Sequence, residues 1–328
     1  MLLSTDLAKK AKNLKRILLN SSYRFESLGS RGFYNHLSDE EYIRRMFKAR
    51  MGYELDLDHP LTFNEKLQWL KLYDHKPIYT TMVDKYKAKY FVASRIGEEY
   101  IIPTLGVWDS FDEIDFDVLP NQFVLKCTHD SGSLVIVTEK DKMNMQIIRN
   151  KINKSLQRNY YNLNKEWPYK NVPHRIIAEK YMMESHPVNN TAMDCDFFGL
   201  IDYKFYCFNG QPRFLYIGFA NIIKGEKKDQ LSYFDLDLQP APFYRIDHEP
   251  LPFSIDKPRN FDNMIHIAEL LSKGIPFVRV DLYNVDNQIY FSELTFTPGG
   301  GYGRFFPEEW ERKFGDWIVL PELMNERE

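Results

Sequence analysis

At 328 residues with a formal net charge of -3, the chain has 44% hydrophobic and 27% charged residues, a soluble globular composition with room for one elaborated domain or two to three cooperating lobes. Nothing global recruits nucleic acid, no apolar run is long enough to span a membrane, and no compact apolar segment marks a secretory leader, so a cytoplasmic setting is expected. Cys127, Cys195 and Cys207 are too few and too scattered for a disulfide framework or a zinc site.

In chain order, residues 1–75 read as a helical N-terminal region. "LAKKAKNLKRILL" places Leu7, Ala11, Leu14, Ile17 and Leu18 at helical spacing among lysines. That pattern suits a solvated helix docked on the body, with a weak membrane-surface contact as the alternative. Ser38 caps a second helix, and "PLTFNEKLQWLKLYDHKP" forms a third between Pro60 and Pro77. Phe63, Leu67, Leu70 and Leu72 make its apolar side, and no chemistry is needed to explain it.

Residues 76–120 read as a helix, a turn at Gly97 and a short strand ending near Pro103 and Thr104. Residues 121–182 give strands at 123–127 and 134–138 joined by a polar loop, a helix across 144–161, and a strand in "PHRIIAEKYMME" that breaks at Met182 or Met183. From Asp202 the pattern turns to strands, with Asn209-Gly210 as a strong hairpin signal. "RNFDNMIHIAELLSKGIP" is a well-buried helix closed by Gly274. The last hairpin, "FVRVDLYNVDNQIYFSELT", turns over 284–287 and leads into "FTPGGGYGRF".

Two-residue alternation sends Arg279 and Asp281 to one face of their strand, and does the same for Glu293 and Thr295. Side by side, two carboxylates and a hydroxyl would suit magnesium, and Arg279 would offer a planar fork to phosphate oxygens. Upstream, Lys126 stands at the mouth of a loop whose Ser131, Gly132 and Ser133 can present backbone N–H groups to phosphate. His129 and Asp130 fit either a chemical role or hydrogen bonds within their own turn. Lys180, after Glu179, and Lys204 lie on two further strands. Neither a Walker loop nor a GxGxxG turn is present.

The order of these parts resembles the ATP-grasp fold, an α+β architecture whose two lobes enclose ATP. "PLTFNEKLQWLKLYD", "VDKY", "IPTLGVWDSFDEIDF", "LPNQFVLKCTHDSG" and "EWPYKN" are similar to the TupA-like ATP-grasp family of polysaccharide-biosynthesis loci, over roughly residues 45–320. The resemblance implies a helical region at 1–75, a preceding segment at 76–120, a small lobe at 121–182 and a large lobe with the metal site at 183–328. Lys126 would contact phosphate and Lys180 adenine, with Glu179, Lys180, Tyr181 and Met182 forming the adenine-side hinge. The loop carrying Thr128, His129, Ser131, Gly132 and Ser133 would close over the phosphates. Arg279 would steady the transferring phosphoryl group, Lys204 would lie near phosphate or acceptor, and Asp281, Glu293 and Thr295 would hold Mg2+. Thr295 stands where many relatives have asparagine. Gly299 to Gly303 would lie beside the acceptor carboxylate.

The implied activity is an ATP-dependent carboxylate–amine ligase working through an acyl phosphate. Its partners would be small-molecule or saccharide carboxylate and amine acceptors, with no nucleic acid and no integral membrane segment. A glycosyltransferase using a nucleotide sugar and manganese is the alternative, suggested by "DCD" at 194–196 and "DLD" at 235–237. A nucleotide-regulated binding protein without turnover is a third reading, disfavoured because a scaffold needs no metal pair.

Overall fold

The computed structural model describes residues 15–183, 200–223, 226–251 and 255–322. The basic segment at the N-terminus, Cys195 and the triplet at 194–196 lie wholly or largely outside them.

Two antiparallel sheets dominate. The smaller has the strand order β1 (Thr104–Trp108), β4 (Ile176–Lys180), β2 (Phe123–Cys127), β3 (Val135–Val137). Alternation along β2 turns Phe123, Leu125 and Cys127 into a core shared with Ile148 and Ile152 of helix Met145–Leu156, while Lys126 is left on the opposite face. The strand expected to end near Pro103 and Thr104 instead begins at Thr104 and runs to Trp108, pairing with β4 along that length. The expected helix across 144–161 stops at Leu156, and a separate short helix, Tyr161–Asn164, follows.

The larger sheet has the order β10 (Gln288–Thr295), β9 (Phe277–Val285), β5 (Asp202–Phe208), β6 (Gln211–Ile223), β7 (Glu226–Phe234). Both hairpin signals are realised as tight turns with two left-handed residues. These are Asn209 and Gly210 at φ 49° and 80°, and Asp286 and Asn287 at φ 51° and 62°. The last turn is thus shorter than the 284–287 reading. One face buries Phe205, Cys207, Leu215, Val278, Val280 and Leu282 under helix Phe261–Ser272. The other face carries Phe208, Tyr206, Phe214 and Phe277 at one end, packed with Phe63, Phe305 and Phe314. Farther along, that same face turns charged.

Strand β8 (Tyr244–Arg245) pairs with β11 (Phe305–Phe306) beyond the glycine turn 298–303. Helix Phe63–Tyr73, whose Thr62 and Glu65 form a reciprocal capping box, lies between the aromatic end of the sheet and that turn.

Candidate active site

Register builds the charged end of the larger sheet. Lys204 of β5 lies opposite Asp281 of β9, and Asp281 lies opposite Glu293 of β10. A two-residue turn at 286–287 would, by simple counting, set Ser292 opposite Asp281 and send Glu293 to the apolar face. An irregularity between Phe291 and Glu293 inserts one extra residue, so Phe291 and Leu294 both stay in the core while Glu293 joins Asp281.

The resulting cluster is tightly bonded. Arg279 donates from Nε to Asp281 Oδ1 at 2.6 Å, and from Nη2 to Asp281 Oδ2 at 2.6 Å, Thr295 Oγ1 at 3.0 Å and Glu293 Oε1 at 3.1 Å. Lys204 Nζ reaches Asp281 Oδ2 and Asp202 Oδ2, each at 2.5 Å. Burial pushes the Asp281 carboxyl up to about 6 against the pull of Arg279 and Lys204. Burial also acts to raise Glu293, but Lys85, Lys204, Arg279 and Lys126 outweigh it and hold that carboxyl at about 2. Two of those four cations, Lys85 and Lys126, come from outside the larger sheet, so the two sheets face each other across one electrostatic centre.

On the smaller sheet, Glu179 is clasped by Lys89 Nζ and Lys126 Nζ, each at 2.5 Å. Burial opposes ionisation there, yet Lys126 and then Lys89 keep Glu179 below the usual carboxylate range. Lys126 and Glu179 line a cleft of about 480 Å³ between the sheets, with Val124, Ile136, Tyr181 and Met182 on one side and Lys204, Tyr216, Leu231 and Tyr283 on the other. Lys180 also lines it, with its backbone N–H bonded to Pro103 O at 3.0 Å. An apolar slot with charged groups at one end is the shape a nucleotide needs.

The polar loop divides into two parts. Thr128 Oγ1 donates to Pro173 O at 2.9 Å, and Ser133 Oγ donates to Asp130 Oδ1 at 2.6 Å while accepting from Cys127 N at 2.8 Å. His129 stacks on His174 at 3.7 Å with Nε2 near Ser155 O and Arg158 O, and burial followed by His174 lowers its pKa. These side chains, with buried Asp130, brace the loop from within. Ser131 and Gly132 are exposed at its tip, and Gly132 sits at φ 102° with nothing within 4 Å of the place a Cβ would occupy.

Asp281, Glu293 and Thr295 offer hard oxygens, the donor set magnesium takes together with water and phosphate. Among the described residues no third His, Cys, Asp or Glu completes an all-protein cage. Two carboxylates fit a metal that shares its remaining positions with a triphosphate. The triplet at 235–237 has a local explanation: Asp235 Oδ1 accepts from Asp237 N at 2.9 Å and Gln239 N at 2.8 Å, closing an exposed turn after β7.

Sequence reasoning missed Lys85, Lys89, Asp202 and Tyr216. Lys85 belongs to "VDKY", and its neighbour Asp84, buried and paired with Arg175 at 3.0 Å, was a signal that this stretch is more than a helix boundary.

A family model described as TupA-like ATPgrasp matches residues 65–319. No curated protein gives a significant match. Among solved structures, the D-alanine–D-alanine ligase of Bacillus anthracis complexed with ATP is 14% identical, covering 66% of this chain and 54% of its own, with a TM-score of 0.35. The ATP-grasp ligase PsnB complexed with minimal precursor, Mg and ADP is 10% identical, covering 71% and 58%, with a TM-score of 0.37. The D-alanine–D-alanine ligase of Helicobacter pylori is 12% identical, covering 78% and 69%, with a TM-score of 0.39. The chain thus spans little more than half the length of the first two, and similarity of this order identifies no reaction.

Proposed function

Because this chain belongs to the TupA-like ATP-grasp family, we propose that it is an ATP- and Mg2+-dependent ligase that joins a carboxylate to an amine. The observation that carries the reading is the Arg279–Asp281–Glu293–Thr295 cluster, facing Lys126 and Lys85 across the cleft between the sheets.

In this reading the adenine lies in the apolar slot by Tyr181 and Met182, with Lys180 at its edge, and the phosphates run toward Lys126, Ser131 and Gly132. Mg2+, held by Asp281, Glu293 and Thr295, would neutralise charge on the phosphates. A carboxylate oxygen of the first substrate attacks the γ-phosphorus, the bond to the ADP oxygen breaks, and an acyl phosphate forms. The amine nitrogen then attacks the acyl carbon, inorganic phosphate leaves and a proton is released. Positioning and charge neutralisation supply the rate, which suits a site rich in Lys and Arg without a protein nucleophile. Arg279 and Lys204 sit where charge develops on the transferring group.

The family supports a place in surface polysaccharide or teichuronopeptide-like assembly, with a uronic acid or amino acid as the carboxylate. No helix among the described residues is long and apolar enough to cross a membrane, and a cytoplasmic setting, where ATP is supplied, agrees with the reading.

The test is calorimetric titration with AMP-PNP and Mg2+, in parallel with a UDP-sugar and Mn2+, followed by ADP release over a panel of carboxylates and amines. Binding of AMP-PNP that weakens in Asp281→Ala supports the ligase. Binding of the UDP-sugar alone overturns it.

A further inference from the structure

Helix Phe63–Tyr73 buries four polar side chains, and three of them besides the capping Glu65 lie beside its apolar side. Asn64, Gln68 and Lys71 are buried, and their spacing of four and three puts them on one helical face. Each donates to a carbonyl of the glycine turn: Asn64 Nδ2 to Gly303 O at 2.9 Å, Gln68 Nε2 to Gly301 O at 2.7 Å, and Lys71 Nζ to Gly300 O at 2.9 Å. Thr297, at the entry to the turn, donates to Glu166.

The turn itself is a left-handed run, with Gly299, Gly300 and Gly301 at φ 61°, 70° and 74°. A Cβ at 301 would come within 2.6 Å of Gln68, and one at 300 within 2.7 Å of Asn164. Such a run has no side chains to anchor it, so its orientation depends on what grips its backbone.

Stability does not explain the three polar residues. Asn64 Oδ1 and Gln68 Oε1 have no hydrogen-bond partner among the described residues, and a buried unpaired acceptor is a penalty that an apolar residue of similar shape would avoid. Orientation does explain them: the Gln68 amide donates to this short segment, and Asn64 and Lys71 each share their donors between it and one further partner, Glu311 Oε2 at 2.7 Å and Asn164 O respectively.

We propose that Asn64, Gln68 and Lys71 are positioning residues that set the glycine turn in the orientation met by the carboxylate substrate. The role of the turn rests on the ligase reading, while the grip on its backbone does not. Lys71 is the central member. It also donates to Asn164 O at 2.9 Å and lies 4.7 Å from the Tyr302 ring, facing Glu166 and Arg50. Burial lowers its pKa to about 7, with Glu166 pulling up and Arg50 pulling down.

Hydrogen–deuterium exchange on the full chain without ligand tests this in Gln68→Leu, Lys71→Met and Lys71→Arg. Exchange of the 298–303 segment is expected to rise at least ~10-fold in the first two, with both sheets unchanged. Lys71→Arg is expected to keep protection and to lack the rise in intrinsic-rate-corrected exchange expected of wild type as pH passes about 7. AMP-PNP affinity with Mg2+ stays within about two-fold of wild type in all three variants. Unchanged exchange in the turn, or a uniform rise across both sheets, overturns the proposal. Failure of wild type to bind AMP-PNP would sink the ligase reading, and the exchange result would still decide the grip on the turn.

Discussion

One face of the larger sheet has two ends with opposite characters. At the end of β9 nearest helix Phe63–Tyr73, Phe277 joins Phe208, Tyr206 and Phe214 in an aromatic core. Two and four residues farther along, on the same side of the same strand, stand Arg279 and Asp281, with Lys204 beside them. Alternation decides which side of the sheet a residue takes, but position along the strand decides whether that side meets packed rings or an open cleft. The charges stay because they answer one another: Asp281 is fully buried yet bonded to two cations, and a buried charge persists only when paired.

Attacking the charged end should cost function, and attacking the aromatic end should cost stability. The largest expected effect is from Asp281→Asn, which removes a carboxylate from Arg279 and Lys204; ATP turnover is expected to fall on the order of 100-fold or more, measured as ADP release. Turnover close to wild type would mean the charged end is an internal ion pair and nothing else. Deleting Ser292 tests the register: without the extra residue Glu293 follows Phe291 directly and still falls opposite Asp281, so Mg2+-dependent AMP-PNP binding should be kept with the fold, followed by circular dichroism, intact. Loss of binding in a folded deletion variant would show that the bulge itself, and not only the side Glu293 takes, is needed for the metal.

At the aromatic end, Phe214→Ala should destabilise by about 3–5 kcal/mol in a denaturant titration, with AMP-PNP affinity little changed. A large affinity loss there would break the division between the two ends. A smaller effect is pH dependence. With Asp281 at about 6, proton competition should weaken Mg2+-dependent AMP-PNP binding as pH falls through that value, while Glu293, held at about 2, stays ionised. The same depressed Glu293 carboxyl contributes stability present above its unfolded pKa and lost as pH falls toward 2, so the stability deficit of Glu293→Gln should shrink in acid. The smallest effect is expected at the exposed turn, where Asp237→Ala should stay within about 0.5 kcal/mol of wild type and leave nucleotide binding untouched.

The sequence made some of this legible and hid the rest for physical reasons. Hairpins at Asn209-Gly210 and near Asn287 could be read because left-handed turn residues announce themselves. The shared side of Arg279 and Asp281 followed from a period of two. Glu293 arrived on that side only through the extra residue at 292, and nothing in "YFSELT" marks a bulge. Lys126 was visible as a lysine on an apolar strand, but its pairing with Glu179 and Lys89 depends on three separated segments meeting. Helix Phe63–Tyr73 was assigned to packing because its apolar residues accounted for its pattern; the roles of its polar residues Asn64, Gln68 and Lys71 went unread, since burial by a distant turn leaves no local trace.

That helix also bears on how the protein is handled as a reagent. Residues 1–75 would be the obvious portion to discard when trimming the chain to a nucleotide-binding core for crystallisation or display. Such a cut removes Phe63 from the aromatic cluster along with Asn64, Gln68 and Lys71. The trimmed core would keep its charged cluster and lose the floor under Gly300 to Gly303, so a shortened version that binds nucleotide would be a poor bait for the carboxylate substrate.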